Sequence, residues 1–224
     1  MSSVELISYI QPVNKPVDWT LDKEIVRAAR VSYANDSTVQ SEEKDSKLIK
    51  YLMVNKHTSP FEAAVFTFHV QCPIFIARQF MRHRTFSYNE VSARYTQLPS
   101  DFFTPDVLPT QAKGNKQMSG DGVVDQDWLV VIKQHQDSAY SLYSELLDAG
   151  VSREYARTVL PVSIMTRFYC TVDLHNLFHF LRLRLHAHAQ KEIREVAEQM
   201  LALIEPLAPY SVFHFKDNLN ELSA

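Results

Sequence analysis

Ala64-Val65-Phe66-Thr67-Phe68-His69-Val70 is a run of β-branched and aromatic residues and reads as a strand. A second run decides the matter. Over 163–172, Ile164, Thr166, Phe168, Cys170 and Val172 alternate with Met165, Arg167, Tyr169 and Thr171, the pattern of a strand with one buried face. Working outward, Pro73 stands where a first helical turn begins, and Ile74, Ala77 and Met81 share one face of a helix over about 73–83. Upstream, Leu21, Ile25, Ala28, Ala29 and Val31 form an apolar stripe over 19–33 behind a Thr20 N-cap. After the polar break Asn35-Asp36-Ser37, the pairs Leu48/Leu52 and Ile49/Met53 repeat at i, i+4 in a helix over about 41–56, closed by Thr58-Ser59-Pro60.

Downstream of the first strand, residues 84–100 are polar and aromatic and are expected to be a loop or interrupted segment. Residues 103–127, which hold three of the four glycines, read as a loop excursion rather than a second domain. A helix over about 127–149 should end at Gly150, and a short one capped by Ser152 should stop before Pro161. Asp173 is placed to cap a long helical stretch of about 174–205. No internal repeat or linker divides the chain, so one domain spanning 1–224 is expected, of the α/β (α+β) class with few strands.

Composition narrows the function classes. With 46% apolar and 22% charged residues in 224, the chain can bury a sizeable core, and intrinsic disorder is excluded. The charge balance is 23 − 26 = −3, with a pI near 6.3, which speaks against bulk binding to nucleic acid or an anionic membrane. No apolar run approaches the roughly 20 residues of a membrane span, and Met1-Ser-Ser-Val-Glu5 lacks a secretory pattern, so a cytoplasmic location is expected. Two cysteines, Cys72 and Cys170, make neither a disulfide framework nor a cysteine zinc site. The glycines Gly114, Gly120, Gly122 and Gly150 permit no dinucleotide or Walker loop. A bound phosphate would therefore be held by side chains and helix ends.

The chemistry concentrates in Arg82-His83-Arg84-Thr85-Phe86-Ser87-Tyr88-Asn89-Glu90-Val91-Ser92-Ala93-Arg94-Tyr95. Between Pro73 and Ser100 lie four arginines (Arg78, Arg82, Arg84, Arg94), no lysine and one acid, Glu90. The guanidinium fork matches phosphate and carboxylate bidentately where an ammonium offers a point charge. A solvated basic face would look similar in charge, but Ser87, Tyr88, Asn89, Ser92 and Tyr95 interleave hydrogen-bonding and stacking groups.

The segment matches all nine fixed positions of Arg-His-Arg-x-x-Ser-x-Asn-Glu-x-Ser-x-Arg-Tyr, and the chain thereby resembles the flavin-dependent thymidylate synthases. The resemblance runs through Ala28–Ser32, His57–Glu62, Phe75–Gln79, Arg153–Arg157, Val159–Pro161, Thr166–Phe168 and His188–Ile193. It implies a small, mostly antiparallel sheet flanked by long helices, and a homotetramer with sites at subunit interfaces. It implies an enzyme that makes dTMP from dUMP, with 5,10-methylenetetrahydrofolate as carbon donor and NADPH as reductant through bound FAD. Such a site must hold several anions, which suits an arginine-rich segment. Implied dUMP contacts are Gln79, Arg82, Glu90, Ser92, Arg94, Arg157 and Arg184. Arg184 would stabilise the deprotonated uracil ring, with Arg182 as the neighbouring alternative, and the Ser92 hydroxyl would stand beside the ring carbons as the second catalytic group. Implied FAD contacts are His57, Ser59, Arg82, His83, Arg84 and Glu90. Where relatives carry Asn-x-Arg and then Asn, this chain has Asp173, His175 and His179; Asp173 is expected to act as a helix cap presenting its backbone, and the two histidines as donors to the flavin.

Two rivals have their own residues. His175 and His179, at i, i+4, suit two metal ligands with Glu192 or His186 as a third, which would make a metal-dependent hydrolase; with the arginine signature present, no metal is expected. A module that binds the nucleotide without turnover would use the same arginines. Cys72 and Cys170 read as small buried apolar residues, not as a thiolate nucleophile.

Overall fold

The two runs that decide the sequence reading lie side by side at the centre of the molecule. The computed structural model describes residues 2–14, 16–33, 41–115 and 117–223. In chain order its elements are β1 (Ser3–Tyr9), α1 (Leu21–Arg30), α2 (Glu42–Val54), β2 (Val65–Pro73), α3 (Ile74–Phe80), β3 (Ser87–Glu90), β4 (Pro109–Gln111) and β5 (Ser119–Val123). There follow α4 (Asp127–Asp148), α5 (Arg153–Ala156), β6 (Met165–Asp173), α6 (Leu174–Arg184), α7 (Lys191–Ile204) and α8 (Pro209–Ser223). Short 3-10 turns cover Val31–Tyr33, Ser59–Ala63 and Arg157–Val159. The polar break at 35–37 lies outside the described residues.

The main sheet has the order β1-β2-β6-β3, and every pairing in it is antiparallel. Val65 faces Asp173 at one end of the central pair and Pro73 faces Met165 at the other. The alternation sorts the faces as expected. Phe66, Phe68, Val70 and Cys72 of β2 and Phe168, Cys170 and Val172 of β6 are buried, whereas Arg167 and Tyr169 are exposed. The buried face forms one core with Ile25 of α1, Ile49 of α2, Ile76 of α3, Leu177 of α6, Val196 of α7 and Phe215 of α8. Phe178 and Phe215 stack with centroids 4.3 Å apart and tie α6 to α8. Asp22, buried in α1, caps α8: its carboxylate accepts from the amides of Tyr210 (2.7 Å) and Ser211 (3.0 Å) and from the Ser211 hydroxyl (2.5 Å).

The structure corrects the sequence reading in four places. Residues 84–100 contain a strand, β3, whose exposed Ser87, Asn89 and Glu90 hid it; an edge strand with one neighbour need not be apolar. Residues 103–127 contain the hairpin β4–β5, in which Gly120 and Gly122 let the Thr110 hydroxyl approach to 2.9 Å of where a Cβ would stand. The stretch 174–205 is two helices, broken at 185–190 so that α7 can lie against β1, where the Gln199 side chain accepts from the Val4 amide at 3.0 Å. The strand β1 and the helix α8 lie beyond the elements that the periodicity suggested. Gly150 does adopt the left-handed conformation expected after α4, with φ 85°. Thr20 and Ser152 occupy N-cap positions, but neither side chain makes a capping bond.

One feature of the packing bears on the arginine segment directly. A satellite core of Ala93, Leu98 and Ile164 sits beneath α4. From α4, Tyr140 donates to the Leu98 carbonyl (3.0 Å), the Tyr143 hydroxyl accepts from the Leu98 amide (3.3 Å), and Gln136 donates to the Phe103 carbonyl (2.9 Å). The chain just after Arg94 is thereby clamped by its backbone.

Candidate active site

The arginine segment starts where α3 ends. Arg82 and Arg84 are exposed, and His83 between them is 7% exposed, with its ring 4.9 Å from that of Phe180 and 6.1 Å from that of Phe86. The turn that sets this alternation is pinned from beneath. The Tyr88 phenol donates to the carbonyls of Phe80 (2.7 Å) and His83 (3.1 Å), and burial raises the pKa of that phenol, which stays protonated.

Arg184, the last residue of α6, reaches back to the same turn. Its Nε–H donates to His83 Nε2 at 3.1 Å, and its Nη2 donates to the Gln79 carbonyl at 3.5 Å. An imidazole nitrogen that accepts carries no proton, so His83 holds its proton on Nδ1. Its environment enforces that form. Burial first, then the Arg184 charge and His179, pushes the His83 pKa down to about 4. Burial also lowers the pKa of Arg184, though a guanidinium remains charged at neutral pH. Gln79 completes the group: its side-chain amide donates to Gln190 Oε1 at 2.6 Å, just before α7. The helix break that sequence periodicity did not show is what brings Arg184 and Gln190 to α3.

Other expected residues fall into separate groups. Glu90 is exposed at the end of β3, and its carboxylate accepts from the Thr166 hydroxyl at 2.6 Å. Ser92 opens a turn in which its carbonyl accepts from Tyr95 and Thr96, while its Oγ accepts from the Arg94 amide at 3.3 Å. Among the described residues no base is hydrogen-bonded to that hydroxyl, so nothing there activates Ser92 as a nucleophile. Arg94 lies 4.0 Å from Glu154, and Arg157 Nε donates to the Glu154 carbonyl at 3.3 Å, so Ser92, Arg94 and Arg157 gather beside α5. His57 and Ser59 are exposed ahead of β2, with the His57 ring edge-on to Tyr51 at 5.8 Å. Asp173 is indeed a cap: its carboxylate accepts from the Asn176 amide (2.9 Å) and side chain (2.6 Å). His175 is half-buried, and His179 is exposed with its ring 6.2 Å from that of His83.

Sequence reasoning missed Gln190, Thr166 and Glu154 as site residues, and it named Tyr88 only as one of the hydrogen-bonding and stacking groups among the arginines, without its task. Tyr88 occupies an unfixed position of the signature, and the other three act through contacts between residues 60 to 111 positions apart or through a surface ion pair. Only folding reveals such contacts.

Among the described residues two cavities adjoin these groups, one reached by Thr166 and the other by Gln190. One of about 130 Å³ is lined by Gln71, Leu98, Asp101 and Thr166; one of about 870 Å³ separates the β4–β5 hairpin from the start of α7. Neither is lined by Arg82, Arg84 or Arg94, which stand on an open surface. Among the described residues no group of three or more His, Cys, Asp or Glu side chains converges on a possible metal position. Both cysteines are buried in the central strands, and burial raises their thiols to about 12. Among the described residues no helix is long and apolar enough to cross a membrane.

Comparison with known proteins adds to this geometry. The family described as thymidylate synthase complementing protein matches residues 17–210. Flavin-dependent thymidylate synthases of Thermus thermophilus and Treponema denticola are 48% and 47% identical to the chain; the alignments cover 89% and 87% of this chain and 73% and 75% of those proteins. The chain belongs to the flavin-dependent thymidylate synthase family. A Dictyostelium discoideum member is 46% identical over 90% of this chain and 67% of its own length. The crystal structure of the UMP/dUMP methylase PolB from Streptomyces cacaoi, bound with 5-Br dUMP, superposes with a TM-score of 0.86 at 37% identity, covering 97% of this chain and 95% of that one. The family signature is divided by the fold: Ser87 and Asn89 project from the outer face of β3, Tyr88 and Glu90 lie over the core side, and Arg82 and Arg84 flank a buried histidine.

Proposed function

We propose that this protein is a thymidylate synthase: it reductively methylates dUMP to dTMP with 5,10-methylenetetrahydrofolate as carbon donor, FAD as the resident cofactor and NADPH as reductant. One observation carries the proposal. Arg184, more than a hundred positions from the signature, is held against it through His83 and the Gln79 carbonyl, half-buried and charged. A fixed guanidinium there can stabilise the uracil ring as negative charge develops on it, with no reorganisation at the moment of reaction. The usual alternative, thiolate attack, is poorly served by two buried thiols that titrate at about 12.

The donor set suits an anionic flavin nucleotide. Among the described residues Arg82 and Arg84 are exposed and make no ion pair, which leaves both guanidiniums free for phosphate. His57, Ser59, Glu90, His175 and His179, with the backbone at Asp173, would hold the rest of FAD, which when bound supplies the reducing equivalents. Gln79, Arg82, Glu90, Ser92, Arg94, Arg157 and Arg184 would hold dUMP, with Arg94 and Arg157 placed for its phosphate and Ser92 orienting the ring rather than attacking it. Because these groups face open solvent in a single chain, we assign the completed site to a homotetramer whose neighbouring copies supply the missing walls. We assign the reaction to the cytoplasm.

The test is tritium release from dUMP labelled at the ring position that is methylated, with methylenetetrahydrofolate, NADPH and FAD. Release that depends on added or bound FAD is expected, and Arg184→Ala should abolish it while leaving a flavin spectrum. Binding of dUMP without tritium release under any of these conditions would reduce the protein to a nucleotide-binding module.

A further inference from the structure

We infer that His83 is a positioning residue for Arg184: its buried ring accepts the Arg184 Nε–H and fixes the plane of the guanidinium, and Tyr88 holds His83 in place from below. The inference rests on the assignment of Arg184 to the uracil ring. It gives His83 a task separate from contact with the flavin.

The geometry supports this in three steps. A guanidinium presents five N–H donors in one plane, and fixing Nε and one Nη determines that plane. Here Nε is fixed on His83 Nε2 at 3.1 Å and Nη2 is directed to the Gln79 carbonyl at 3.5 Å, so the remaining donors of the fork are left for a ligand. The acceptor itself has little freedom. The His83 ring stands edge-on to Phe180 at 4.9 Å, and its carbonyl is tied to the Tyr88 phenol at 3.1 Å. The same phenol takes up the Phe80 carbonyl at 2.7 Å, so the end of α3 and the turn beyond it move as one body. Tyr88 is itself wedged between the Phe86 and Phe168 rings, with centroids 6.0 Å and 5.9 Å away. Positively charged neighbours would normally repel a histidine. A neutral imidazole that accepts is the one form that can sit against Arg184 without electrostatic penalty.

The test uses four variants of the flavin-loaded protein. His83→Phe keeps the ring volume and removes the acceptor; His83→Gln places an amide oxygen near the position of Nε2; Tyr88→Phe removes the phenol bonds; Arg184→Ala reports on the parent assignment. Loss of one hydrogen bond to a charged donor predicts that kcat of His83→Phe falls roughly 10- to 100-fold. The calorimetric dUMP dissociation constant and the flavin spectrum should change little, and His83→Gln should restore most of kcat. The Arg184 Nε–H resonance, assigned by its disappearance in Arg184→Ala, should lose its protection from solvent exchange in His83→Phe and regain it in His83→Gln. Wild-type turnover or unchanged exchange in His83→Phe would overturn the inference, as would a His83→Gln no better than His83→Phe. If His83→Phe does not fold, Tyr88→Phe decides: a several-fold fall in kcat at unchanged dUMP affinity supports the inference, and no fall overturns it. An Arg184→Ala protein with wild-type turnover would instead show that the parent assignment is wrong.

Discussion

Lowering the pH should destabilise this protein through His83, by an amount that can be worked out. Unfolded, the ring titrates near 6.5; folded, burial first and then Arg184 and His179 push it down to about 4. Between those values the unfolded chain binds a proton that the folded chain refuses. Stability from this residue is therefore fully present above pH 6.5 and is lost as pH falls toward 4. With those two values, acidification from pH 7 to pH 5 costs about 2 kcal/mol. For a domain of this size that corresponds to a fall in Tm of roughly 4–8 °C. His214 is also shifted down, by burial and then Lys50, and carboxylates contribute as well, so the wild-type curve alone does not isolate His83. Subtracting the curve of His83→Gln does, because the glutamine cannot titrate and the other groups are common to both proteins. Scanning calorimetry at half-unit intervals from pH 7.5 to 5 should show the wild type losing about 2 kcal/mol more than the variant. Parallel curves would refute the claim that the folded structure holds this ring neutral.

Three further outcomes follow from other contacts. Among the described residues the buried pair Arg30–Asp45, at 2.6 Å, leaves Arg30 Nη1 without a partner, so Asp45→Ala should cost about 3–5 kcal/mol in urea melts, and the double change to Arg30→Met with Asp45→Leu should recover much of it. Replacing Cys72 and Cys170 together by alanine should leave kcat within about threefold while lowering Tm, since buried thiols contribute packing only; complete loss of turnover in a folded, flavin-bound protein would contradict the thiol-independent route. Arg94 and Glu154 are both exposed at 4.0 Å, so Arg94→Ala should change stability by under about 0.5 kcal/mol yet raise the dissociation constant for dUMP roughly 10- to 100-fold, and an unchanged constant would remove Arg94 from the phosphate site.

Much of the architecture was legible because burial imposes a period. A strand packed on one face must alternate, and residues 163–172 do; the helices at 21–30, 42–54 and 127–148 announce themselves by i, i+4 repeats and by Gly150. Elements that bury little carry no such signature. β3 is polar because one of its edges and one of its faces are open, and β1 and α8 are defined by what they pack against. The break after Arg184 has neither glycine nor proline to mark it: His186-Ala187-His188-Ala189-Gln190 would continue a helix in isolation, and it is the docking of α7 beside β1 that ends one.

The sequence by itself determined the kind of chemistry. Guanidinium, hydroxyl and amide groups at fixed spacing are a property of covalent order, and so is the absence of any phosphate-binding glycine loop. Tertiary structure alone decided which of those groups act together. Arg184 meets His83 and Gln79 across more than a hundred residues because α6 stops where it does, while Arg182, two residues away on the same helix, points to solvent. The protonation state of His83 was equally invisible in the chain. An imidazole titrates according to the water and charge around it, and those exist only once Phe86, Phe180 and Arg184 have closed over the ring.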